Sequence, residues 1–166
     1  MSVRVHLSLI EILVVVTLFA VLGILVTQSV VLTLQGSKKS ESLVHVRENL
    51  NYSLSIIERQ IRNAGSVTPC PNSDTKIINY FDQNGVPGLF SCVNTSLDNS
   101  YIASGSAGFR LTSDTVKIMV CSFVCTPRIG DNPSLVTINL TVKDAAASGI
   151  QSAEVSASTQ IYLRNY

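Results

Sequence analysis

The residues of this chain that could take part in chemistry are one acid in an apolar run, four cysteines and two histidines. Glu11 is the only charged residue between Leu7 and Val26. An ionised carboxylate in an apolar segment is costly in free energy, and such residues usually have a partner. We therefore expect Glu11 to pair with a cation, and we expect that pair to bear on function.

The element that positions Glu11 is a run of membrane length. It extends over 20 residues from Leu7 to Val26, and 20 helical residues span about 30 Å, the thickness of a bilayer core. The run is longer than the apolar core of a cleavable signal peptide, and no Ala-x-Ala site follows it. A plain membrane anchor is the simpler alternative, because apolar length alone predicts one.

Residues 7–15, Leu-Ser-Leu-Ile-Glu-Ile-Leu-Val-Val, closely resemble the N-terminal segment of type IV pilins and of the pseudopilins of type II secretion systems. That family has a short basic leader, a cleavage site, and a glutamate at the fifth position of the mature chain. The resemblance implies a prepilin leader over residues 1–6, cleavage between His6 and Leu7, methylation of the new Leu7 amine, and assembly through Leu7 and Glu11.

The chain departs from this family at His6, because the residue before the cut is usually glycine. Imidazole is far bulkier than the hydrogen of glycine, so a peptidase site shaped for glycine would process this chain less well. Two alternatives stay open. A cut chain carries its amine on Leu7, whereas an uncut chain carries it on Met1 and cannot form the same ion pair with Glu11.

A helical period continues beyond the apolar run, with apolar residues at steps of three and four: Leu43, Val46, Leu50, Leu54, Ile57 and Ile61. The pattern predicts one long helix over residues 7–64. The resemblance implies that residues 7–35 are the membrane or filament-core segment and that the amphipathic residues 36–64 begin an extracytoplasmic head. Gly65 is the predicted terminator, with Pro69 shortly beyond it.

The rest of the head divides into two regions. Residues 65–108 are rich in Ser, Asn, Gly and Pro, and they predict a variable loop region with short strands at residues 76–81 and 89–93. Residues 109–166 alternate in polarity and predict an antiparallel sheet with strands at residues 109–111, 115–123, 134–142 and 154–163. One face of this sheet, including Val116, Ile118 and Val120, should cover the apolar stripe of the helix. The predicted fold class is α+β.

Four cysteines, Cys70, Cys92, Cys121 and Cys125, all follow the apolar run and favour an oxidising compartment. Four cysteines allow three connectivities. We predict Cys70 with Cys92, closing the loop region, and Cys121 with Cys125, clipping a turn. Free thiols are one alternative, and a zinc site is another, although the Cys-x-x-Cys spacing typical of zinc sites is missing from the sequence.

No catalytic motif is found in the sequence, and His45 falls on the helix, so we predict no enzyme activity, no catalytic residues, no metal and no cofactor. Residues 82–85, Asp-Gln-Asn-Gly, indicate a turn, because they lack the regular series of oxygen ligands of a calcium loop. With 12 Lys and Arg against 11 Asp and Glu, the net charge of +1 gives no basic field for DNA.

The resemblance implies a structural subunit of a type IV pilus or type II secretion-like filament. The run from Leu7 to Ala64 holds no proline, which favours a minor pilin or pseudopilin over a major pilin. The implied partners are other pilin or pseudopilin subunits, the prepilin peptidase, the inner-membrane assembly platform and membrane lipid. The implied location is a single pass through the inner membrane with an extracytoplasmic head, and a periplasmic or cell-surface filament after assembly.

The alternative function is a membrane-anchored binding module, either an adhesin or a receptor for DNA uptake. Arg110, Lys117 and Arg128 are the cations that would contact nucleic acid if the fold brought them together.

Overall fold

The computed structural model describes residues 9–70, 72–130, 133–147, 149 and 152–163. Helix α1 runs from Leu9 to Arg62 without a break and passes through Gly23 and Gly36. The predicted start at Leu7 lies outside the described residues. The chain divides into two compact units, with the boundary between Lys38 and Lys39.

At the end of α1 the last backbone amides donate to carbonyl oxygens of earlier residues, and a strand begins shortly afterwards. Ala64 N donates to Ile61 O at 3.1 Å, and Gly65 N donates to Phe81 O at 2.9 Å. The helix therefore ends before Gly65, as predicted, and the Gly65 amide bonds to Phe81 rather than to the last turn of the helix. A Cβ at Gly65 would lie 3.3 Å from the Asp82 carbonyl oxygen, so the glycine permits this close approach of two backbones.

Nine strands follow the helix in the described part of the chain: β1 (Ser66–Val67), β2 (Asp74–Thr75), β3 (Ile77–Phe81), β4 (Pro87–Val93), β5 (Tyr101–Ser104), β6 (Phe109–Arg110), β7 (Val116–Thr126), β8 (Leu135–Asp144) and β9 (Glu154–Tyr162). They form two antiparallel sheets, one in the order β1-β3-β4-β5-β6 and the other in the order β2-β7-β8-β9. The α+β prediction, with a long N-terminal helix packed against an antiparallel sheet, is confirmed.

The five-stranded sheet corrects the prediction of a mostly irregular region over residues 65–108. Strands β3 and β4 match the two short strands that were expected there. The others have two to four residues each, which is too short for an alternating pattern to be recognised in the sequence. The predicted strand at residues 109–111 is β6, and it pairs with β5 in this sheet rather than with the C-terminal strands.

The four-stranded sheet contains the three other C-terminal strands, β7, β8 and β9, at positions close to those predicted. Its fourth member is β2, which pairs with the outer side of β7 through Asp74 and Val124. A two-residue strand from the loop region therefore takes the place that was predicted for residues 109–111.

The core lies where the apolar stripe of α1 meets the inner face of the sheets. Val46, Ile57 and Ile61 are fully buried, as are Ile118, Val136 and Ile138 of the four-stranded sheet. Val120 was predicted to share this face, but it is 50% exposed. The register of β7 against β8 shifts between Ile118 and Val120, and a β-bulge of this kind reverses which side chains point inward.

Both disulfides differ from the predicted pairing. Cys70 is bonded to Cys125 with Cα atoms 5.0 Å apart, and Cys92 is bonded to Cys121 with Cα atoms 6.0 Å apart. The predicted Cys121–Cys125 bridge was wrong because both residues lie on the single strand β7. Four residues of strand extend over about 13 Å, well beyond the roughly 7 Å that a disulfide can bridge.

The bridges should be distinguishable by peptide mapping and by stability. Chymotryptic cleavage after Phe81, Tyr101 and Phe123 without reduction separates the four cysteines, so it should give one linked pair with Cys70 and Cys125 and another with Cys92 and Cys121. The closed loops span 55 and 29 residues, so replacing either pair by alanine should lower the free energy of unfolding by about 3–4 kcal/mol. A linked peptide pair containing both Cys121 and Cys125 would contradict this connectivity.

Candidate assembly site

The first unit presents an apolar helical surface that no other described part of the same unit covers. Every Leu, Ile, Val and Phe from Leu9 to Leu34 is between 45 and 82% exposed. The most apolar stretch of α1 has a mean hydropathy of 3.0, and by length and composition it can cross a membrane. A soluble monomer rarely exposes so large an apolar surface, so this segment requires lipid or other apolar helices around it.

The backbone and hydroxyl groups of this segment suit an apolar environment. The hydroxyls of three threonines donate to carbonyl oxygens of the preceding turn: Thr17 to Val14 at 2.8 Å, Thr27 to Gly23 at 2.8 Å, and Thr33 to Ser29 at 2.9 Å. These groups therefore need no hydrogen-bond partner outside the helix.

Glu11 lies in the first turn of the described part of α1. Among the described residues the one ion pair within 4.0 Å joins Lys117 to Asp98, so no described cation neutralises Glu11. His6 and Leu7, the predicted processing residues, lie outside the described residues together with the leader. The structure therefore places Glu11 and leaves its pairing with the Leu7 amine as a prediction.

The cysteines and the predicted turn have structural roles in the head. All four cysteines are in disulfides. At the turn between β3 and β4, Asp82 Oδ1 accepts hydrogen bonds from the amides of Asn84 and Val86, each at 2.8 Å, which confirms a turn at residues 82–85. No group of three potential metal-ligating side chains occurs in the ranges that the structure describes.

The three cations suggested for nucleic acid are each engaged separately by the protein. Arg110 stacks over the Tyr101 ring at 5.1 Å and donates to Thr112 O at 2.8 Å. Lys117 pairs with Asp98, and Arg128 Nε donates to Gly130 O at 3.0 Å. These contacts orient the cations toward neighbouring protein groups, and they give no support to a shared DNA-binding surface.

Side-chain hydrogen bonds, which the hydrophobic pattern did not reveal, fix the head portion of α1 on the sheets. Thr159 Oγ1 donates to Glu58 Oε1 at 2.6 Å, and Ser113 N donates to Asn49 Oδ1 at 3.0 Å. Tyr80 Oη donates to Gln60 Oε1 at 2.5 Å. Burial, and to a lesser extent the Asp82 carboxylate, raises the pKa of Tyr80, so its hydroxyl stays protonated as a donor.

The group with the most hydrogen bonds joins Ser42 of α1 to the connection between β8 and β9. Ser42 is 5% exposed, and its Oγ donates to Asp144 Oδ2 at 2.5 Å and accepts from Ala153 N at 3.2 Å. Asp144 Oδ1 accepts from the amides of Ala146 and Ala147 at 2.8 and 3.0 Å. We call this group the Ser42–Asp144 clasp. It joins residues 102 positions apart in sequence, so only the folded chain reveals it.

The charge of Asp144 is stabilised by the clasp. Partial burial opposes ionisation, but hydrogen bonds from Ser42, Ala147 and Ala146, together with the nearby His45, outweigh it and hold the pKa of Asp144 below its usual value of 3.8. A depressed pKa means that the native state favours the charged form, so the clasp contributes stability above the unfolded pKa and loses it as pH falls through the folded pKa.

No protein family, curated protein or solved structure matches this chain. The resemblance to pilins therefore stays a prediction from the residues of the N-terminal segment.

Asp144→Asn should remove the charge-assisted part of the clasp. We expect the free energy of unfolding at pH 7 to fall by about 1–2 kcal/mol, because hydrogen bonds to charged groups contribute about 1.5–3 kcal/mol and solvent screening at this partly exposed site lowers that contribution. The difference from wild type should begin to shrink below about pH 4, where the unfolded chain takes up the proton on Asp144, and it should vanish once the pH is below the depressed pKa of the native carboxyl. Chemical unfolding of the detergent-solubilised chain at pH 7 and pH 2.5 measures both.

The matched control for this prediction is Asp98→Asn. Asp98 forms an ion pair with Lys117, but its side chain is 93% exposed, and such pairs contribute little. Asp98→Asn should therefore leave the stability at pH 7 unchanged. An Asp144→Asn deficit that stayed the same at pH 2.5 would show that lost packing, rather than lost charge, causes it.

Proposed function

We propose that this protein is a structural subunit, a minor pilin or pseudopilin, of a type IV pilus or type II secretion-like filament. The observation that carries the proposal is the exposed apolar start of α1 with Glu11 as its one charged residue before Lys38. The same continuous helix enters the core of the head through Val46 and Ile61. A helix with these two parts suits a subunit whose first part packs with lipid or with neighbouring helices.

A plain anchor would explain the apolar length but not the carboxylate. Glu11 has no described cation within 4.0 Å, so its partner would come from the N-terminal residues of its own chain or from another chain. We propose the amine of Leu7 in an adjacent subunit. At about 4 Å and an effective dielectric constant near 20, two opposite unit charges attract by about 4 kcal/mol before desolvation is subtracted. Such a pair would set the register between subunits.

The proposal includes the cellular location and the partners that the family resemblance implies. The chain would be held in the inner membrane with its head on the extracytoplasmic side, where disulfides persist. It would then enter a filament with other pilin or pseudopilin subunits after processing by the prepilin peptidase. The two disulfides of the head support an oxidising compartment, and the apolar helix supports a membrane stage.

Mass spectrometry of the N-terminus tests the proposal directly. The protein would be isolated separately from membranes and from filaments sheared off the native cell. We expect the filament fraction to contain a chain that begins at Leu7 with a methylated amine. A chain that begins at Met1 or Ser2 and occurs only in membranes would refute filament assembly and leave an anchored binding protein.

Glu11→Gln tests the ion pair while keeping the size of the side chain. We expect its incorporation into filaments to fall at least tenfold, which corresponds to about 1.4 kcal/mol, while its amount in the membrane stays the same. Glu48→Gln is the matched control, because Glu48 is an exposed acid on the same helix and should not change incorporation. Equal incorporation of the two variants would refute the role of Glu11.

His6→Gly tests the processing step. Removing the imidazole should increase the fraction of chains that begin at Leu7, because the peptidase of this family usually accepts glycine at that position. His45→Asn is the control, since His45 lies in the head portion of α1. Pulse labelling followed by mass spectrometry would measure the cleaved fraction, and an unchanged fraction for His6→Gly would show that His6 does not limit cleavage.

A further inference from the structure

In the described part of the chain, strand β9 is the long unpaired edge of the four-stranded sheet. It lies at the end of the order β2-β7-β8-β9 and pairs only with β8 in the described part of the chain. The pairing is antiparallel and continuous from Leu135 opposite Tyr162 to Lys143 opposite Glu154. The other three edge strands, β1, β2 and β6, have two residues each, whereas β9 has nine.

The hydrogen bonds at the two ends of β9 show which backbone groups face outward. Leu163 N donates to Ser134 O at 3.0 Å, and Asp144 N donates to Ala153 O at 3.0 Å. In an antiparallel pair, residues that bond to the partner strand alternate with residues that face away from it. The odd-numbered residues of β9 therefore bond to β8. The N–H and C=O groups of the even-numbered residues point to the open side: Glu154, Ser156, Ser158, Gln160 and Tyr162.

Natural proteins usually protect such an edge with lysine, proline, a bulge or a very short strand. Strand β9, with the sequence Glu-Val-Ser-Ala-Ser-Thr-Gln-Ile-Tyr, has none of these. Its one charge, Glu154, lies opposite Lys143 on β8. The centre of the strand has small side chains at Ser156, Ala157 and Ser158, so another strand could approach the backbone without a steric clash.

The side chains of β9 also indicate which residues an added strand should have on each of its two faces. The even-numbered side chains are all exposed, whereas Val155, Ala157 and Thr159 are half-buried on the helix side. Thr159 contacts Glu58 of α1 on that side. A fifth strand with apolar residues on the helix side and polar residues on the outer side would cover Val155 and Ala157, and it would continue the polar outer face.

We infer that the β9 edge binds an extended segment of a partner polypeptide by β-strand addition, as the fifth strand of this sheet. The segment is uncharged at its centre and alternates apolar and polar residues. Main-chain hydrogen bonds from the five outward-facing residues supply affinity, and the half-buried side chains supply specificity. This interaction surface lies entirely in the head and does not depend on filament assembly.

A second copy of this chain is a poorer occupant than a separate partner. Antiparallel pairing of two β9 edges places a two-fold axis perpendicular to the sheet. The head portion of α1 packs face to face on the sheets, so this axis would reverse the direction of one helix relative to the other. Two chains anchored in the same membrane by their N-terminal segments require helices of the same direction.

The test uses the full-length protein in detergent micelles and a capped nonapeptide of alternating valine and threonine as the probe. In an antiparallel fifth strand, the threonines lie opposite the even-numbered residues of β9, so threonine amides face the edge. N-methylation of the threonine amides should weaken binding at least tenfold, whereas N-methylation of the valine amides should change it less than twofold. NMR should show shifts and slower hydrogen exchange at the even-numbered amides of β9.

Protein variants give a second measurement. Ser158→Pro removes an outward-facing N–H without removing a bond to β8, because proline is tolerated at edge positions of this kind. Ser158→Ala is the matched control, since both variants lose the hydrogen bond from Ser158 Oγ to Asn139 Oδ1 and only proline blocks the edge. We expect at least tenfold weaker peptide binding for Ser158→Pro and less than twofold change for Ser158→Ala.

Three outcomes would overturn the inference. The first is equal binding of the two N-methylated peptides by the wild-type protein. The second is the same rate of hydrogen exchange for odd-numbered and even-numbered amides of β9 in the free protein. The third is a concentration-dependent dimer that is lost in Ser158→Pro but kept in Ser158→Ala, since it would assign the edge to a second copy of this chain.

Discussion

The head depends on the burial of one apolar stripe of α1 against the two sheets. Val46, Leu50, Ile57 and Ile61 are between 0 and 2% exposed, and burying each such side chain stabilises the fold by about 1.5–3 kcal/mol. A sheet with one apolar face must bury that face against another element, and here the helix is that element for both sheets. The hydrogen bonds at Ser42, Asn49 and Glu58 then select one position of the helix along the sheets.

The same helix requires two different surroundings. In the head its apolar residues are spaced to form one stripe, and the sheets cover that stripe. Between Leu9 and Leu34 apolar residues surround the helix and remain exposed, so this part requires lipid or other helices as its surroundings. A single regular element therefore connects a folded head to an apolar segment, and Glu11 is the one charged residue in that segment.

The β-bulge after Ile118 has consequences beyond its own strand. It reverses the alternation of β7, so that Cys121 and Cys125 face the core, while Val120 faces outward. The inward cysteines then reach Cys92 of the five-stranded sheet and Cys70 of the preceding connection. Each bridge ties a segment of the region after the helix to β7, so the weakly patterned residues 66–110 are fastened to the strongly patterned C-terminal sheet.

The sequence by itself determined the long helix, its change from uniformly apolar to amphipathic, the three long C-terminal strands and the α+β class. These features depend on local periodicity, which the order of residues contains directly. Only the tertiary structure decided the short strands, the bulge, the disulfide partners and the Ser42–Asp144 clasp. Each of these depends on contacts between residues far apart in sequence. A two-residue strand is also too short to show an alternating pattern of apolar and polar residues. The position of Glu11 is likewise a property of the sequence, whereas the open edge of β9 exists only because the folded sheet ends there.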